Sequence, residues 1–170
     1  AEIVFPFLAK IYGFSAKEIS CVQYSQLEDN YKANLPELSK TDINLQTSDY
    51  NLYEPEFKEH YLKGFILLEA ATIIACKIIE KSEACRRYIK ARYRSVYIDE
   101  YQDTSEPQHR LFCALHSLGL KAVAVGDTQQ SIFAFRGSDP TYLLALTADA
   151  SNFEHHVINI NHRSHPSIIN

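Results

Sequence analysis

The sequence predicts an α/β fold, a parallel sheet with flanking helices, preceded by a mainly helical region over residues 1–94. Three observations carry this. Two short apolar runs, "VYID" (96–99) and "KAVAVG" (121–126), have the composition of strands buried in a parallel sheet. The segment between them, "EPQHRLFCALHSLG" (106–119), has helical spacing, so the three together form a βαβ unit. Upstream of Ser95 the apolar residues recur mostly at helical rather than alternating intervals.

Taken in order, "AEIVFPFLAKIYGF" (1–14) predicts a short helix with Pro6 in its first turn and Gly13 as its stop. Residues 25–56 are polar, rich in Asn, Asp, Ser and Tyr, and show no sustained period, which predicts a loop or insertion. From Phe57 to about Lys81 the pattern is helical, and "GFILLEAATIIACKII" (64–79) reads as a core helix, because Glu69 and Lys77 interrupt it well short of the roughly 20 apolar residues a membrane span needs. "EACRRYIKARYR" (83–94) predicts a second helix, crowded with five basic residues. Beyond the βαβ unit, a helix is expected around 140–147, a strand at "HHVINI" (155–160) and the opening of a helix at "SHPSIIN" (164–170).

At 170 residues and 46% hydrophobic content the chain can bury the core of one ordinary domain, with room for a small appendage. Its net charge of −4 gives no overall attraction to nucleic acid, so any such binding needs a local patch. The cysteines, Cys21, Cys76, Cys85 and Cys113, form no Cys-x-x-Cys pair and signal neither zinc nor a disulfide framework, which makes a reducing cytoplasm the expected location. No signal-peptide pattern opens the chain and no membrane span is expected. A first residue of alanine and the absence of methionine lead to the expectation that this is a piece of a longer protein.

The chemistry gathers at the strand ends. In open α/β sheets ligands bind outside the carboxyl ends of the strands, and both runs end in acid, "YIDE" at 97–100 and "AVGD" at 124–127. A strand that holds Asp99 beside a hydrated Mg²⁺, with Glu100 free to polarise a water for in-line attack, is what a phosphoryl-transfer site needs. The alternative for these acids is that they begin a loop and cap the next helix. "VGDTQQSIFAFRGSDP" (125–140) adds glutamines able to bond a terminal phosphate, Gln130 among them, and aromatics, Phe133 and Phe135, able to stack on unpaired bases. The alternative for those rings, which their residue type alone favours, is that they are core anchors, with Arg136 pairing a carboxylate. In "INHRSHPS" (160–167), Arg163 follows a predicted strand and precedes a predicted helix, so its guanidinium is placed either for a phosphate or for a surface salt bridge. His155, His156, His162 and His165 lack metal-ligand spacing and read as surface or packing residues.

In sequence order, "IDEYQDT" (98–104), "VGDTQQSIFAFRG" (125–137) and "NHRS" (161–164) resemble motifs II, III and IV of superfamily 1 DNA helicases of the UvrD/Rep/PcrA type. The resemblance runs from about Ser95 to Asn170. It implies a partial RecA-like P-loop NTPase core over 95–170, with 1–94 holding the family's helical insertion and adjoining core helices. The implied activity is ATP hydrolysis coupled to 3′-to-5′ movement on single-stranded DNA, with ATP and Mg²⁺ as cofactors. Carried over by position, Asp99 would hold Mg²⁺, Glu100 would activate the attacking water, and Gln130 and Arg163 would contact the γ-phosphate. Phe133, Phe135 and Arg136 would face the DNA, Phe135 standing where the family has a base-stacking aromatic, and Gln102 and Asp103 would be supporting parts of motif II. His162 replaces the more usual tyrosine.

The family's phosphate loop, G-x-x-x-x-G-K-[ST], is absent from residues 1–170, so this chain by itself is expected to bind ATP poorly and to be inactive. The implied partners are single-stranded DNA or a single/double-strand junction, and a protein such as a nuclease or a repair or defence factor. The N-terminal "AEIVFPFL" and compact insertion also resemble the helicase-like subunits of Gabija-type anti-phage systems. Such a subunit would sense nucleotide or DNA without processive unwinding.

Overall fold

A computed structural model of the chain describes residues 5–13, 18–27, 29, 45–132 and 137–160. A 3₁₀ turn at Phe5–Phe7 leads into α1 (Leu8–Tyr12), which ends at Gly13 as its sequence predicts. Three longer helices follow, α2 (Tyr50–Leu62), α3 (Ala71–Lys81) and α4 (Glu83–Arg92). Strands β1 (Ser20–Val22) and β2 (Phe65–Leu67) lie between them and pair in parallel, Cys21 opposite Ile66. The βαβ unit is β3 (Ser95–Ile98), α5 (Glu106–Ser117) and β4 (Lys121–Ala124), the strands parallel with Ile98 opposite Ala124. α6 (Thr141–Ala148) closes the described helices.

Three expectations are corrected. α2 begins at Tyr50 rather than near Phe57, because its tyrosines are core residues: Tyr50, Tyr53, Phe57 and Tyr61 are all buried along one face. The Tyr50 hydroxyl donates to that of Tyr12 at 3.1 Å, and Tyr12 meets Tyr61 edge-on at 5.5 Å between centroids, so the polar atom finds a partner while the ring is buried. The run 64–79 is not one helix. Gly64 turns the chain at φ 87°, a conformation open to glycine, and a Cβ there would come within 3.0 Å of the Glu18 carbonyl oxygen. Beyond it Phe65–Leu67 becomes a strand, with Ile66 and Leu67 buried, and only then does α3 begin. Finally, residues 155–160 form no strand, and Val157, Ile158 and Ile160 are exposed. A strand exists only by pairing, and the β3–β4 sheet has no third strand among the described residues. The predicted helix at 164–170 lies outside the described residues.

Two clusters form the core, and α5 belongs to both. The larger one joins Leu8, Tyr12, Phe57, Tyr61, Ile73, Ile74 and Ile78, with Leu111 and Leu115 of α5 and Leu118 just after it packed against it. The smaller joins Tyr101, Phe112, Leu143 and Leu146 beneath Val96, Ile98, Ala122 and Ala124 of the sheet. The opposite face of β3 is open, Tyr97 being 67% exposed. Glu106 ties the start of α5 to the segment before α2: its carboxylate accepts from Thr47 N (2.8 Å), Thr47 Oγ1 (2.7 Å) and Arg110 Nε (2.7 Å). Burial opposes the charge of Glu106, and these donors outweigh it, holding its carboxyl below the usual range.

The basic helix α4 is partly structural. Arg86 Nη1 donates to the Ile79 and Glu80 carbonyls, both at 2.7 Å, capping the end of α3, while Arg87 pairs with Glu83 at 3.0 Å. Lys90, Arg92 and Arg94 remain exposed. Ser82 sits at the joint, its Oγ accepting from Cys85 N at 3.2 Å as the N-cap of α4. Ser82→Ala is expected to lower the unfolding free energy by about 1 kcal/mol, measured by denaturant titration.

The four cysteines are free thiols. Among the described residues no helix is long and apolar enough to cross a membrane.

Candidate active site

The carboxyl ends of β3 and β4 lie side by side, and two further hydrogen bonds extend their pairing into the loops. Val125 N donates to Ile98 O at 2.9 Å, and Tyr101 N to Val125 O at 2.8 Å. This brings Asp99 and Glu100 onto the same edge as Asp127, as the strand-end acids predict. Asp99 and Glu100 are exposed. Asp99 Oδ1 accepts from Glu100 N at 2.9 Å, and its other oxygen has no hydrogen-bond partner among the described residues. Glu100 has φ 52° and ψ 44°, the only non-glycine residue with positive φ among those described. Such a conformation costs roughly 1–2 kcal/mol for an L-residue and persists where the surroundings impose it, often at functional sites.

Directly beneath lies Gln102, 1% exposed in the short 3₁₀ turn Tyr101–Asp103. Its Nε2 donates to Glu100 Oε2 at 2.7 Å and its Oε1 accepts from Asp127 N at 3.0 Å. Gly126 makes this approach possible: a Cβ there would stand 2.5 Å from Gln102 Oε1 and 3.0 Å from Tyr101 N. Asp127 in turn caps the turn Thr128–Gln130, accepting from Gln129 N at 2.9 Å and from Gln130 Nε2 at 2.8 Å. The Gln130 amide, followed by the Gln129 N–H, holds the Asp127 carboxyl below the usual carboxylate range. Gln130 thus stands at the strand edge with one amide hydrogen engaged and, among the described residues, the other left for a further acceptor.

The loop is anchored from below. Tyr101 is fully buried, its hydroxyl 2.9 Å from His109 Nδ1 and its ring edge-on to Phe112 at 5.1 Å. Burial pushes the Tyr101 phenol well above its ordinary value and lowers that of His109. His109 stacks on Tyr142 at 4.7 Å, which joins α5 to α6 under the site. On the far side Asp139 N donates to Thr104 O at 3.2 Å, so the segment after Gly137 returns to the turn that follows β3. Asp103 Oδ1 is buried without a hydrogen-bond partner among the described residues.

Of the residues singled out from sequence, Asp99, Glu100 and Gln130 share one edge, Gln130 being linked to Glu100 through Asp127 and Gln102. Phe133, Phe135, Arg136 and Arg163 lie outside the described residues. Sequence reasoning underrated Gln102, whose partner lies 25 positions away, and missed the left-handed turn at Glu100. A polar residue two places beyond a strand-end acid was the only trace of the first.

A parallel βαβ unit with carboxylates at its strand ends puts those acids where open α/β sheets bind their ligands. Residues 11–151 match the model of the UvrD/REP helicase N-terminal domain, and the chain belongs to that family. It is 36% identical over 91 residues to the Gabija protein GajB of Bacillus cereus (strain VD045), covering 53% of this chain and 18% of that protein. To the putative ATP-dependent DNA helicase YjcD of Bacillus subtilis (strain 168) it is 32% identical over 120 residues, 70% of this chain and 15% of that protein. To the ATP-dependent DNA helicase PcrA of Staphylococcus aureus it is 28% identical over 121 residues, covering 71% and 16%. The chain thus spans less than a fifth of the length of each of these relatives.

Proposed function

We propose that this chain carries the hydrolytic half of the nucleotide site of a superfamily 1 DNA translocase or helicase. In this reading 1–94 is the mainly helical region and 95–170 the motor-core segment. The observation that carries the reading is the exposed Asp99–Glu100 pair held at the β3 end beside Asp127 and Gln130.

The donor set suits Mg²⁺. No three His, Cys, Asp or Glu residues gather for a metal among those described, and Mg²⁺ is commonly held through one or two carboxylates together with substrate phosphates. Asp99, with one oxygen unpartnered among the described residues, is the residue to hold it, and the ion would neutralise charge on the β- and γ-phosphate oxygens. Glu100 takes the proton of the attacking water. Gln130 offers its second amide hydrogen to the γ-phosphate, and Arg163 offers its guanidinium. Phe133, Phe135 and Arg136 meet single-stranded DNA, and hydrolysis drives 3′-to-5′ movement. Residues 1–170 contain no G-x-x-x-x-G-K-[ST] loop, so the isolated chain is expected to bind and hydrolyse ATP little.

A second reading, a nucleotide- or DNA-sensing subunit of a defence complex, draws on the similarity to GajB. One experiment separates them. The complete protein is assayed for ATP hydrolysis with and without single-stranded DNA, and for displacement of a strand from a duplex with a 3′ tail. DNA-stimulated hydrolysis with displacement supports the motor. Hydrolysis without displacement of a long duplex favours the sensor, and no nucleotide turnover under any condition overturns the motor reading.

A further inference from the structure

We propose that Gln102 is a positioning residue that couples the Glu100 carboxylate to the Asp127–Gln130 turn. This rests on the reading of Glu100 as the water-activating group. The buried amide has a single workable orientation. A carboxylate oxygen faces one end and a backbone N–H the other, so Nε2 must point to Glu100 and Oε1 to Asp127; a flip would set oxygen against oxygen and N–H against N–H. Burying an amide is tolerated only when both ends are bonded, and here they are.

The connection is continuous in both directions. Toward the water-activating group, the Gln102 bond is the only hydrogen bond to the Glu100 carboxylate among the described residues, on a side chain otherwise free in solvent. Toward the other loop, the Asp127 N–H is held by Gln102 while the Asp127 carboxylate holds Gln130. Ser131 Oγ adds a long bond, 3.5 Å, to the Gln102 carbonyl. A shift of the turn when Gln130 engages a phosphate therefore moves Gln102, and with it the carboxylate. The absence of a side chain at Gly126 is what lets the amide sit in this gap.

The test uses the complete protein with saturating single-stranded DNA and reads kcat, KM for ATP and the melting temperature. Gln102→Leu keeps the volume and removes both bonds. It is expected to lower kcat by about 10–100-fold, as loss of positioning does, with KM for ATP changed less than about 2-fold. Gln102→Glu keeps the acceptor toward Asp127 but offers Glu100 an acceptor where Nε2 donated. It is expected to lower kcat by at least about 10-fold, because the bond that holds the Glu100 carboxylate is lost.

A kcat for Gln102→Leu or for Gln102→Glu within about 2-fold of wild type overturns the inference. If Gln102→Leu does not fold, the kcat of Gln102→Glu decides alone, its melting temperature reporting that the fold is kept. Glu100→Gln separates this failure from failure of the underlying reading. An inactive Glu100→Gln beside wild-type-like Gln102 variants rejects the coupling only, whereas an active Glu100→Gln rejects the reading and the coupling with it.

Discussion

Glu100→Gln, made in the complete protein, is expected to lower single-strand-stimulated ATP turnover by about 10²–10⁴-fold, the usual worth of a positioned general base. The structure isolates this effect. The substituted amide keeps the shape of the side chain, and its oxygen can accept from Gln102 Nε2 in place of Glu100 Oε2, so the 2.7 Å bond is retained. Neither residue is better suited than the other to φ 52°, so backbone strain is unchanged. Asp99 keeps its bond to the following N–H, and with it the geometry of the carboxylate proposed to hold Mg²⁺. What disappears is the capacity to take a proton. Steady-state hydrolysis measures the loss, nucleotide titration is expected to show affinity within about 3-fold of wild type, and the melting temperature should not move. Turnover near the wild-type rate would mean that another group takes the proton, and the assignment would be wrong.

Phe112→Ala is expected to cost about 3–5 kcal/mol of unfolding free energy, the range for removing a buried phenylalanine. Phe112 is fully buried, edge-on to Tyr101 at 5.1 Å and stacked with Phe153 at 6.0 Å. Its cluster is small, four buried side chains beneath a two-stranded sheet, and Tyr101 on one side is tethered through its hydroxyl to His109. Little is available to collapse into the space, so the upper part of the range is expected. The same cavity undercuts the motif II turn, and nucleotide affinity in the complete protein should fall along with stability. Urea unfolding of the chain measures the first effect, and a loss below about 1 kcal/mol would show that the ring is not anchored as described.

The two predictions test parts of the molecule that were legible to different degrees. The βαβ unit was readable because "VYID" and "KAVAVG" are too short for helices and too apolar for loops, and a helical stretch of suitable length separates them. The acids stood at the ends of those runs, where such sheets bind ligands, and the family match over 11–151 agrees with the motif resemblance. The start of α2 was hidden by tyrosines that count as polar until a partner such as Tyr12 takes the hydroxyl. β2 was hidden inside a longer apolar run, since "FIL" satisfies helix and strand alike until β1 pairs with it. "HHVINI" failed in the opposite sense, having strand composition with no neighbouring strand to bond.

By itself the sequence determined the kind of site: carboxylates Asp99, Glu100 and Asp127 at the ends of parallel strands, in motifs whose order marks the family. Which strand end faces which followed from the βαβ connection, a local property. Only the tertiary structure decided that Glu100 turns left-handed, that α5 serves two cores, and that Gln102 spans from Glu100 to Asp127. These depend on the β3–β4 register and on the space left by Gly126. Composition and periodicity describe how one segment prefers to fold, whereas a hydrogen bond between two loops depends on where both segments come to rest.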